Sequence, residues 1–416
     1  MFTVMTRIVS AMVLIVVLAT TGGLVGCGDN GDQEGGEKEI IIGMLTDFTG
    51  PACYAVRPTM DGYMDAFRWF AETDPIPGVK VKFITYDQKT DPGRVPPGYM
   101  WLKGQGAIMM YIISPTDRSI LADRFAEDQI LCQGASVDEG SPAHPWSFVQ
   151  YGSNGFEAEA GMQWIIDTWD YAGTGRSPKV GHFSWAHASG DFHQWGLDRT
   201  LERYPGKLDW QGRQTALVSA STFAGEVSAL KDCDYIWMTP AGTMPGSFMK
   251  EARARGYTGA FIGGTNAFSG YFPLIRTIVP ADQLYECYQM QWWPWYNEDY
   301  PFIDMVKEIL QKYRADSYEE AMEGSGPIGG LCMAIPAYDS IKRAVEAVGA
   351  ENVDGAAIRD AFLSFNVTLE GFGNTWQFGE DFHVLMRSMK AYKWDLDRTE
   401  FVNLGGDWVT PDSLAG

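Results

Sequence analysis

The sequence predicts an α/β protein with two Rossmann-like lobes, each built on a parallel β-sheet. Short apolar segments alternate with stretches of helical periodicity from residue 40 onward, and the alternation begins again near residue 156. An alternation of this kind requires parallel strands with helices on both faces of the sheet. The chain of 416 residues is also long enough for two domains of usual size.

The first half is predicted to run strand, helix, strand. Strands are predicted where apolar residues run together or alternate with polar ones, at 40–45, 79–84, 107–113 and 130–132. Helices are predicted where apolar side chains recur at helical spacing, at 59–71 and 120–127. These elements form the first sheet and its covering helices.

The pattern restarts in the second half, which predicts a second sheet. Its strands are expected at 180–185, 235–238, 260–262 and 392–395. Its helices are expected at 156–170, 195–203, 247–255, 301–313 and 336–348. Two such series, one after the other, indicate two lobes.

The N-terminus has the features of a secretory signal with a lipoprotein cleavage site. Arg7 precedes an almost wholly apolar segment, 8–20, which is shorter than the roughly 20 residues that a membrane-spanning helix needs. The letters LVGC follow, ending at Cys27. We expect a signal peptide at 1–26, a lipid on Cys27 and a flexible polar tether at 27–38. The alternative is an ordinary signal peptide that happens to contain a cysteine.

Composition and motifs argue against several classes of function. The net charge of −21 argues against nucleic acid and anionic lipid surfaces as partners. No G-x-S-x-G elbow, phosphate-binding P-loop or dinucleotide-binding glycine fingerprint is present in the sequence. We therefore expect no enzymatic activity and no cofactor.

Cysteine and histidine leave two alternatives open. After Cys27 there are five cysteines, an odd number without a CxxC pair, so they are either scattered thiols or include one or two disulfides. His182, His187 and His193 lie close together in the sequence beside Asp191. Their spacing matches no known ligand motif, so we expect no metal site.

Hydroxyl and small residues follow the predicted strands, at the ends where open parallel sheets bind ligands. These stretches lie at 46–50, 114–116, 134–136, 187–192, 239–243 and 263–266. Hydroxyl groups and helix N-terminal N–H groups suit a carboxylate or another polar head group. We expect a small-molecule site here, and the alternative is that the same residues only cap helices and form turns.

Several motifs, in order along the chain, resemble one known family. They include IIIGMLTDFTGP, VKFITYDQKTDPGR, YIISPTDRSILAD, VGHFSWAHASGDFHQWG and FMKEARARGYTGAFIGG. Together they resemble the leucine/isoleucine/valine-binding protein family, the type I periplasmic binding proteins. The resemblance implies two lobes joined by a hinge of three crossovers, which closes on a ligand. The lobe limits are expected at 39–151 with 272–375, and at 152–271 with 376–416.

The resemblance also implies a function. We expect an extracytoplasmic solute-binding lipoprotein of an ABC importer, anchored through Cys27 to the outer face of the cytoplasmic membrane. Its partners are then a small-molecule ligand and the permease and ATPase subunits. The ligand is expected to be an amino acid or another small carboxylate or amide, aromatic or not. The alternative is a ligand-sensing receptor that acts through a signalling partner.

By position, the resemblance implies a set of ligand-binding residues. Those expected to hold the ligand's carboxylate in the first lobe are Ser114, Thr116, Gly134 and Ser136. Ala135, between the last two, is also expected in the binding site. In the second lobe, Phe192 is expected to stack on the ligand and Thr239 to help cover it. Tyr54 lies in the first loop, where the family often has a tyrosine.

The sequence departs from the family's pattern at the ligand's ammonium group. Amino-acid binders of the family commonly place a carboxylate after the last strand of the second lobe, and the segment 263–267 has none. Thr265 and Asn266 lie there, but a buried ammonium group without a charged partner is costly. Asp191 or Asp47 is expected to substitute.

Tryptophans near the predicted strand ends favour a wide, aromatic-lined cleft, suited to a flatter ligand than leucine. They are Trp185, Trp195, Trp237, Trp292, Trp293 and Trp295. The alternative is that most of them pack in the core, given how much area each buries.

Overall fold

The computed structural model describes residues 37–136, 144–265 and 268–414, with the side chain of Ser136 left out. The predicted signal peptide, Cys27 and all but the end of the tether lie outside the described residues. In the described part, no helix is long and apolar enough to cross a membrane.

Strands and helices alternate along the chain. The strands are β1 Lys38–Thr46, β2 Val79–Asp87, β3 Ala107–Tyr111, β4 Leu131–Ser136, β5 Ser147–Tyr151, β6 Lys179–Trp185, β7 Asp209–Ala216, β8 Tyr235–Thr239, β9 Ala260–Gly263, β10 Cys287–Gln291, β11 Asn366–Val367, β12 Trp376–Gln377, β13 Val384–Met386, β14 Lys390–Asp395 and β15 Glu400–Asn403. The helices are α1 Cys53–Thr73, α2 Val95–Gly104, α3 Pro115–Asp128, α4 Asn154–Thr168, α5 Tyr171–Thr174, α6 Ala188–Arg203, α7 Ala224–Leu230, α8 Met244–Ala254, α9 Phe272–Ile278, α10 Pro301–Tyr313, α11 Tyr318–Met322, α12 Gly326–Val348 and α13 Gly355–Leu363.

The first sheet has six strands in the order β13-β5-β4-β3-β1-β2, and its pairings are parallel. The strands predicted at 40–45, 79–84, 107–113 and 130–132 are confirmed as β1 to β4. The end of β1 is buried on both faces, because helices cover both sides of the sheet.

The second sheet has seven strands in the order β15-β14-β10-β9-β8-β6-β7. The pairings from β7 to β10 are parallel, whereas β14 and β15 are antiparallel additions at one edge. The four strands predicted for this half are confirmed as β6, β8, β9 and β14. The two sheets confirm the predicted fold class.

The helix α10 has the predicted bounds, whereas most of the other predicted helices begin earlier in the structure. The largest difference concerns the helix predicted at 336–348. The helix α12 instead begins at Gly326 and carries Pro336 inside it. It packs so closely on α1 that a β-carbon at Gly330 would lie 2.4 Å from the carbonyl oxygen of Thr59. Tertiary packing therefore overrides the local helix signal here.

The strands β7 and β10 are among those that the sequence did not predict, and they were missed for different reasons. The strand β7 is an edge strand whose side chains are mostly half-exposed, so it shows no apolar run. The strand β10 is central, but its sequence CYQMQ carries Gln289 and Gln291, both fully buried. Buried polar side chains break the apolar pattern by which a central strand is recognised.

Within the described residues, the chain crosses between the sheets three times. The crossings lie between β5 and α4, between β10 and α10, and between β13 and β14. Three crossovers are what the family resemblance implies. Several connections between two lobes restrict their relative motion to a hinge.

The sheet memberships correct the expected lobe limits at two points. The segment 272–375 was expected in the first lobe, but its strand β10 pairs with β9 and β14 in the second sheet. The segment 376–416 was expected in the second lobe, but its strand β13 pairs with β5 in the first sheet. The polar sequence of β10 concealed the strand, so the second crossing was placed too early.

Aromatic rings pack the first and second crossings against each other. The ring of Tyr151 at the end of β5 stacks on Trp292 with centroids 5.6 Å apart, and meets Trp293 edge-on at 5.8 Å. All three side chains are almost completely buried. Each such ring pair contributes about 0.5–1.5 kcal/mol beyond the area that it buries. We call Tyr151, Trp292 and Trp293 the crossing cluster.

A buried carboxylate joins the crossing cluster to the second lobe. Oε1 of Glu157, on α4, accepts hydrogen bonds from the indole Nε1 of Trp292 (2.9 Å) and from the backbone N–H of Thr265 (3.1 Å). Its other oxygen packs against Gly264, where a β-carbon would lie 1.9 Å away. Burial raises the pKa of Glu157 to about 7, although both hydrogen bonds lower it.

We predict that Glu157→Gln stabilises the protein more at pH 8.5 than at pH 5. The folded-state pKa is raised above the ordinary value of about 4.5, so native stability falls as pH rises towards 7 and the group loses its proton. Glutamine removes that penalty, and its gain over wild type should grow by about 2 kcal/mol between the two pH values. Urea unfolding measures this gain.

The control for this experiment is the same substitution at Glu202, an exposed residue of α6. It removes one carboxylate without changing the interior. An equal effect of Glu157→Gln at both pH values would contradict the proposed burial penalty.

Candidate functional site

A cavity lies between the carboxyl ends of the two sheets. Residues at the ends of β1, β4, β5, β6 and β8 line it, together with the loop before α3 and the crossing cluster residues Tyr151 and Trp293. Its volume is about 150 Å³. A cavity of about this size holds a molecule such as benzene. The cavity is therefore suited to a small ligand.

The lobes come into contact at the rim of the cavity. Gly242 follows β8 in the second lobe and has a positive φ of 61°. A β-carbon there would lie 3.6 Å from the carbonyl oxygen of Pro51, in the first lobe. A β-carbon at Gly270 would lie 3.1 Å from the methyl group of Ala55. The structure thus has the two lobes closed over the cavity.

The N-terminus of α3 forms the wall in the first lobe. Ser114 is its N-cap, and its hydroxyl oxygen accepts from the backbone N–H of Asp117 at 3.3 Å. Thr116 lies in the same turn, and its hydroxyl is buried without a hydrogen-bond partner among the described residues. Ala135, at the end of β4, also lines the cavity.

Asp117 is a buried carboxylate in this wall. The amide nitrogen of Gln88 donates to its Oδ2 at 2.9 Å, and both residues line the cavity. Burial raises the pKa of Asp117 to about 6, while the bonds with Ser114 and Gln88 and the charge of Arg118 lower it. The group is therefore ionised at neutral pH.

Asp47 was expected to pair with the ligand's ammonium group, in place of the carboxylate that the segment 263–267 lacks. In the structure, its carboxylate is hydrogen-bonded within the protein. Its oxygens accept from the backbone N–H groups of Gly50 and Ala52 and from the hydroxyl of Thr90 at 2.5 Å. Asp47 lines the cavity, but these bonds satisfy the carboxylate. Its role in holding the loop before α1 is structural.

Histidines and a tryptophan form the wall in the second lobe. His182 is bonded to the hydroxyl of Thr239 at 2.7 Å, which fixes a cavity-lining side chain. His187 stacks on Trp185 with ring centroids 4.2 Å apart. His193 accepts from the indole N–H of Trp237 at 3.2 Å.

Burial keeps these three histidines uncharged. It lowers the pKa of His182 to about 3 and the pKa values of His187 and His193 below the ordinary value. Each ring is held by its own partner in the protein. In the described part of the chain, no group of three His, Cys, Asp or Glu side chains is placed to hold a metal ion.

Several residues that line the cavity have a buried polar atom without a hydrogen-bond partner among the described residues. They are Oγ1 of Thr46, Oε1 of Gln88, Oγ1 of Thr116, Oε1 of Gln150 and Nε1 of Trp293. Buried polar atoms in native proteins are nearly always hydrogen-bonded. A small molecule in the cavity would therefore lie beside residues of the first lobe and of a crossing that have these unpaired polar atoms.

The structure brings part of the predicted site together. Ser114, Thr116, Ala135 and Thr239 line the cavity. Ser136 ends β4, next to Ala135, but its side chain is outside the described residues. Asn266 is also outside them. The role of these residues in binding stays a prediction.

Other predicted site residues lie elsewhere. Asp191 is largely exposed and forms an ion pair with Arg213 at 2.7 Å. Phe192, beside it on α6, does not line the cavity, and the neighbouring His193 does. Helical geometry turns successive side chains by about 100°, so one position decides which residue faces the ligand.

The remaining residues of the predicted site do not line the cavity. Tyr54 is 55% exposed in the first turn of α1 and does not line the cavity. Gly134 packs on the guanidinium group of Arg118, 2.1 Å from where a β-carbon would be. Thr265 is fully buried and bonds to Glu157 and to the carbonyl oxygen of Met290.

Two of the six tryptophans line the cavity, namely Trp185 and Trp293. Trp237 and Trp292 are fully buried elsewhere, and Trp195 packs on Phe156. The structure therefore favours the alternative in which most of these rings pack in the protein interior.

The five cysteines in the described residues are unpaired, which decides between the two alternatives. They are Cys53, Cys132, Cys233, Cys287 and Cys332. Burial raises the pKa values of Cys132, Cys233 and Cys287 to about 12, so these thiols are unreactive.

The sequence did not predict the two glutamines that line the cavity, or the cavity residues that lie at the crossings between the lobes. Gln88 directly follows β2, within the loop quoted in the motif VKFITYDQKTDPGR. Gln150 lies inside β5, a strand that was not predicted. A glutamine inside an otherwise apolar strand, as in SFVQY, was the available signal.

Comparison with known proteins gives one family. A profile of the family described as periplasmic binding protein matches residues 39–400. No curated protein sequence is similar enough to match the chain.

Solved structures share the fold. One is a branched chain amino acid ABC transporter from Thermus thermophilus with bound valine, at 16% identity and a TM-score of 0.78, covering 91% of this chain and 98% of that one. Another is a fatty acid ABC transporter substrate-binding protein from Thermomonospora curvata, at 17% identity and 0.76, covering 92% and 96%. A solute-binding protein from R. palustris in complex with benzoate has 14% identity and 0.72, covering 90% and 97%.

We predict that Thr116→Val leaves the free energy of unfolding unchanged or raises it by up to about 1 kcal/mol. The substitution removes a buried hydroxyl that has no protein partner. The matched control is Thr200→Val, because the Thr200 hydroxyl donates to the carbonyl oxygen of Gly196 at 2.9 Å. The control should lose about 1 kcal/mol in urea unfolding. Equal losses in both variants would show that the Thr116 hydroxyl is engaged within the protein.

Proposed function

Because the chain belongs to the periplasmic binding protein family, we propose that it is an exported solute-binding protein that captures one small molecule between its two lobes and delivers it to an ABC importer. Membership of this family implies export and ligand binding rather than catalysis. The closed cavity at the carboxyl ends of both sheets is the observation that supports the proposal.

The crossing cluster supports a hinge mechanism. Tyr151 and Trp293 belong to the first and second crossings, and both line the cavity. A ligand in contact with them touches the segments that must flex when the lobes open. Binding would shift the population towards the closed form, which the permease would recognise.

We further propose that the protein is anchored to the membrane by a lipid on Cys27. The cysteine ends an LVGC box after an apolar signal segment, and a Gly-rich polar stretch follows. A tether of this composition lets the folded part move over the membrane surface and reach a permease. One acyl chain binds only marginally, so stable anchoring requires the several chains of a lipoprotein.

The ligand is proposed to be one small polar molecule. Valine, a fatty acid and benzoate appear in the names of the similar structures, so their fold serves different ligands. The range expected from the sequence comprises amino acids, other small carboxylates and amides. The volume of about 150 Å³ favours the smaller members of that range.

A thermal-shift screen tests the binding proposal. The panel contains branched-chain and aromatic amino acids, their deaminated acids and short amides. We expect at least one compound to raise Tm, since a ligand at a hundredfold over its Kd stabilises the protein by about 2.7 kcal/mol. Thr116→Val should weaken binding of that compound about tenfold.

Phe192→Ala is the control variant, since Phe192 lies outside the cavity. It should leave the affinity within about twofold, if the cavity is the binding site. Loss of binding in Phe192→Ala with no loss in Thr116→Val would place the ligand elsewhere.

Replacement of Cys27 by serine tests the lipid anchor. The wild-type chain, expressed in a bacterial host fed radiolabelled palmitate, should incorporate label and sediment with membranes. Cys27→Ser should lose both properties, because serine provides no thiol for the lipid. Cys53→Ser is the control, as Cys53 is an unpaired thiol of the folded part. Continued labelling of Cys27→Ser would contradict the lipoprotein proposal.

A further inference from the structure

The charge of the cavity wall restricts its ligand. Among the described residues that line the cavity, the carboxylates are Asp47 and Asp117, and lysine and arginine are absent. The lining histidines His187 and His193 are kept uncharged by burial, which lowers their pKa values. The wall therefore carries negative charge only.

The buried cation Arg118, next to Asp117 in the sequence, does not line the cavity. Arg118 donates from one guanidinium nitrogen to the backbone oxygens of Ile112 (2.7 Å) and Ile113 (2.9 Å), and its guanidinium group packs behind Gly134. Arg118 does not line the cavity, so it offsets part of the charge of Asp117 without offering a contact to a ligand.

A carboxylate of the protein itself lies at the N-terminus of α3, where an anion would otherwise bind. A helix N-terminus attracts negative charge, and the N-terminus of α3 faces the cavity. Asp117 lies in the first turn of α3, and its backbone N–H donates to the N-cap hydroxyl of Ser114. A ligand carboxylate at this helix N-terminus would thus meet a carboxylate that is already there.

Two glutamines that line the cavity each have a hydrogen-bond acceptor that is unpaired among the described residues. The amide nitrogen of Gln88 donates to Asp117, and that of Gln150 donates to the carbonyl oxygen of Gly329, both at 2.9 Å. These bonds fix the orientation of both amides and leave both Oε1 atoms without a partner among the described residues. Gln88 is 4% exposed and Gln150 2% exposed, so neither Oε1 is paired with solvent at the protein surface, and a bound molecule is the remaining source of a donor.

We propose that the ligand binds through a head group of N–H donors, an ammonium, amidinium or carboxamide group, and carries no carboxylate. The head group donates to Asp117 and to the Oε1 atoms of Gln88 and Gln150. Its small apolar body contacts Trp185 and Trp293. This inference rests on the proposed function, and it names the ligand class of the same cavity.

The hydrogen-bond donors in the cavity wall are compatible with this class of ligand. The indole N–H of Trp293 and the hydroxyl of Thr116 have no partner among the described residues. Both are neutral, so they suit the carbonyl oxygen of a carboxamide as well as a hydroxyl group. A cation gains from the negative wall, and a carboxamide gains from the mixed donors and acceptors.

Compounds of one shape and different charge test the proposal. The aromatic series is benzoate, benzamide and benzamidine, and the branched series is isovalerate, isovaleramide and isopentylamine. Each is titrated calorimetrically into the full chain, purified in detergent. In at least one series, we expect the amide or the cation to bind at least tenfold more tightly than the carboxylate. A carboxylate that binds as tightly as its own amide or cation would overturn the proposal.

Variants then identify the contacts. Asp117→Asn should weaken the amidinium or ammonium compound at least tenfold and the carboxamide less than threefold, since only the cation loses a charged partner. Asp191→Asn is the control, because it makes the same charge change at an exposed residue outside the cavity. Gln150→Leu should weaken every compound that binds. Unchanged cation binding in Asp117→Asn would overturn the assignment of Asp117.

The outcomes separate this proposal from the proposed function. Binding of carboxylates alone, weakened by Thr116→Val, would overturn the donor head group and leave a small-molecule binding protein. If none of the six compounds binds, the proposal that a ligand of this size binds through a head group of N–H donors is overturned. The amino acids and acids of the thermal-shift panel then decide the proposed function independently. Melting curves of each variant show whether it is folded.

Discussion

The packing of Tyr151 against Trp292 and Trp293 is the interaction on which the rest of the structure depends. These rings join two of the crossings between the lobes, and two of them also form part of the cavity wall. The relative position of the sheets and the shape of the site are therefore fixed by the same contacts. A ligand that touches these rings acts directly on the segments that open and close the lobes.

Buried carboxylates give the protein its polar interior at a cost in stability. Glu157 holds Trp292 and the loop after β9, and burial raises its pKa to about 7. Asp117 holds Gln88 at the cavity, and its pKa is raised for the same reason. No ion pair between described residues includes Glu157 or Asp117. Asp117 lines the cavity, and carboxylates with a shifted pKa are common at functional sites.

The sequence predicted the order of strands and helices because apolar periodicity reports burial directly. It missed β10 because Gln289 and Gln291 interrupt the apolar run, and this error moved a lobe limit. In the site, Ser114 and Thr116 were found because they follow a strand. Gln150 was not, because its role depends on α12, which is distant in the sequence. Contacts between distant segments are set by tertiary packing, which local patterns do not contain.

A crystal structure of the full chain saturated with the compound that binds most tightly tests the central claim most directly. The account predicts that the compound lies between the lobes, within hydrogen-bonding distance of Asp117 or Gln150 and in van der Waals contact with Trp293. A compound bound on the outer surface of either lobe, with this cavity filled only by water, would contradict the account.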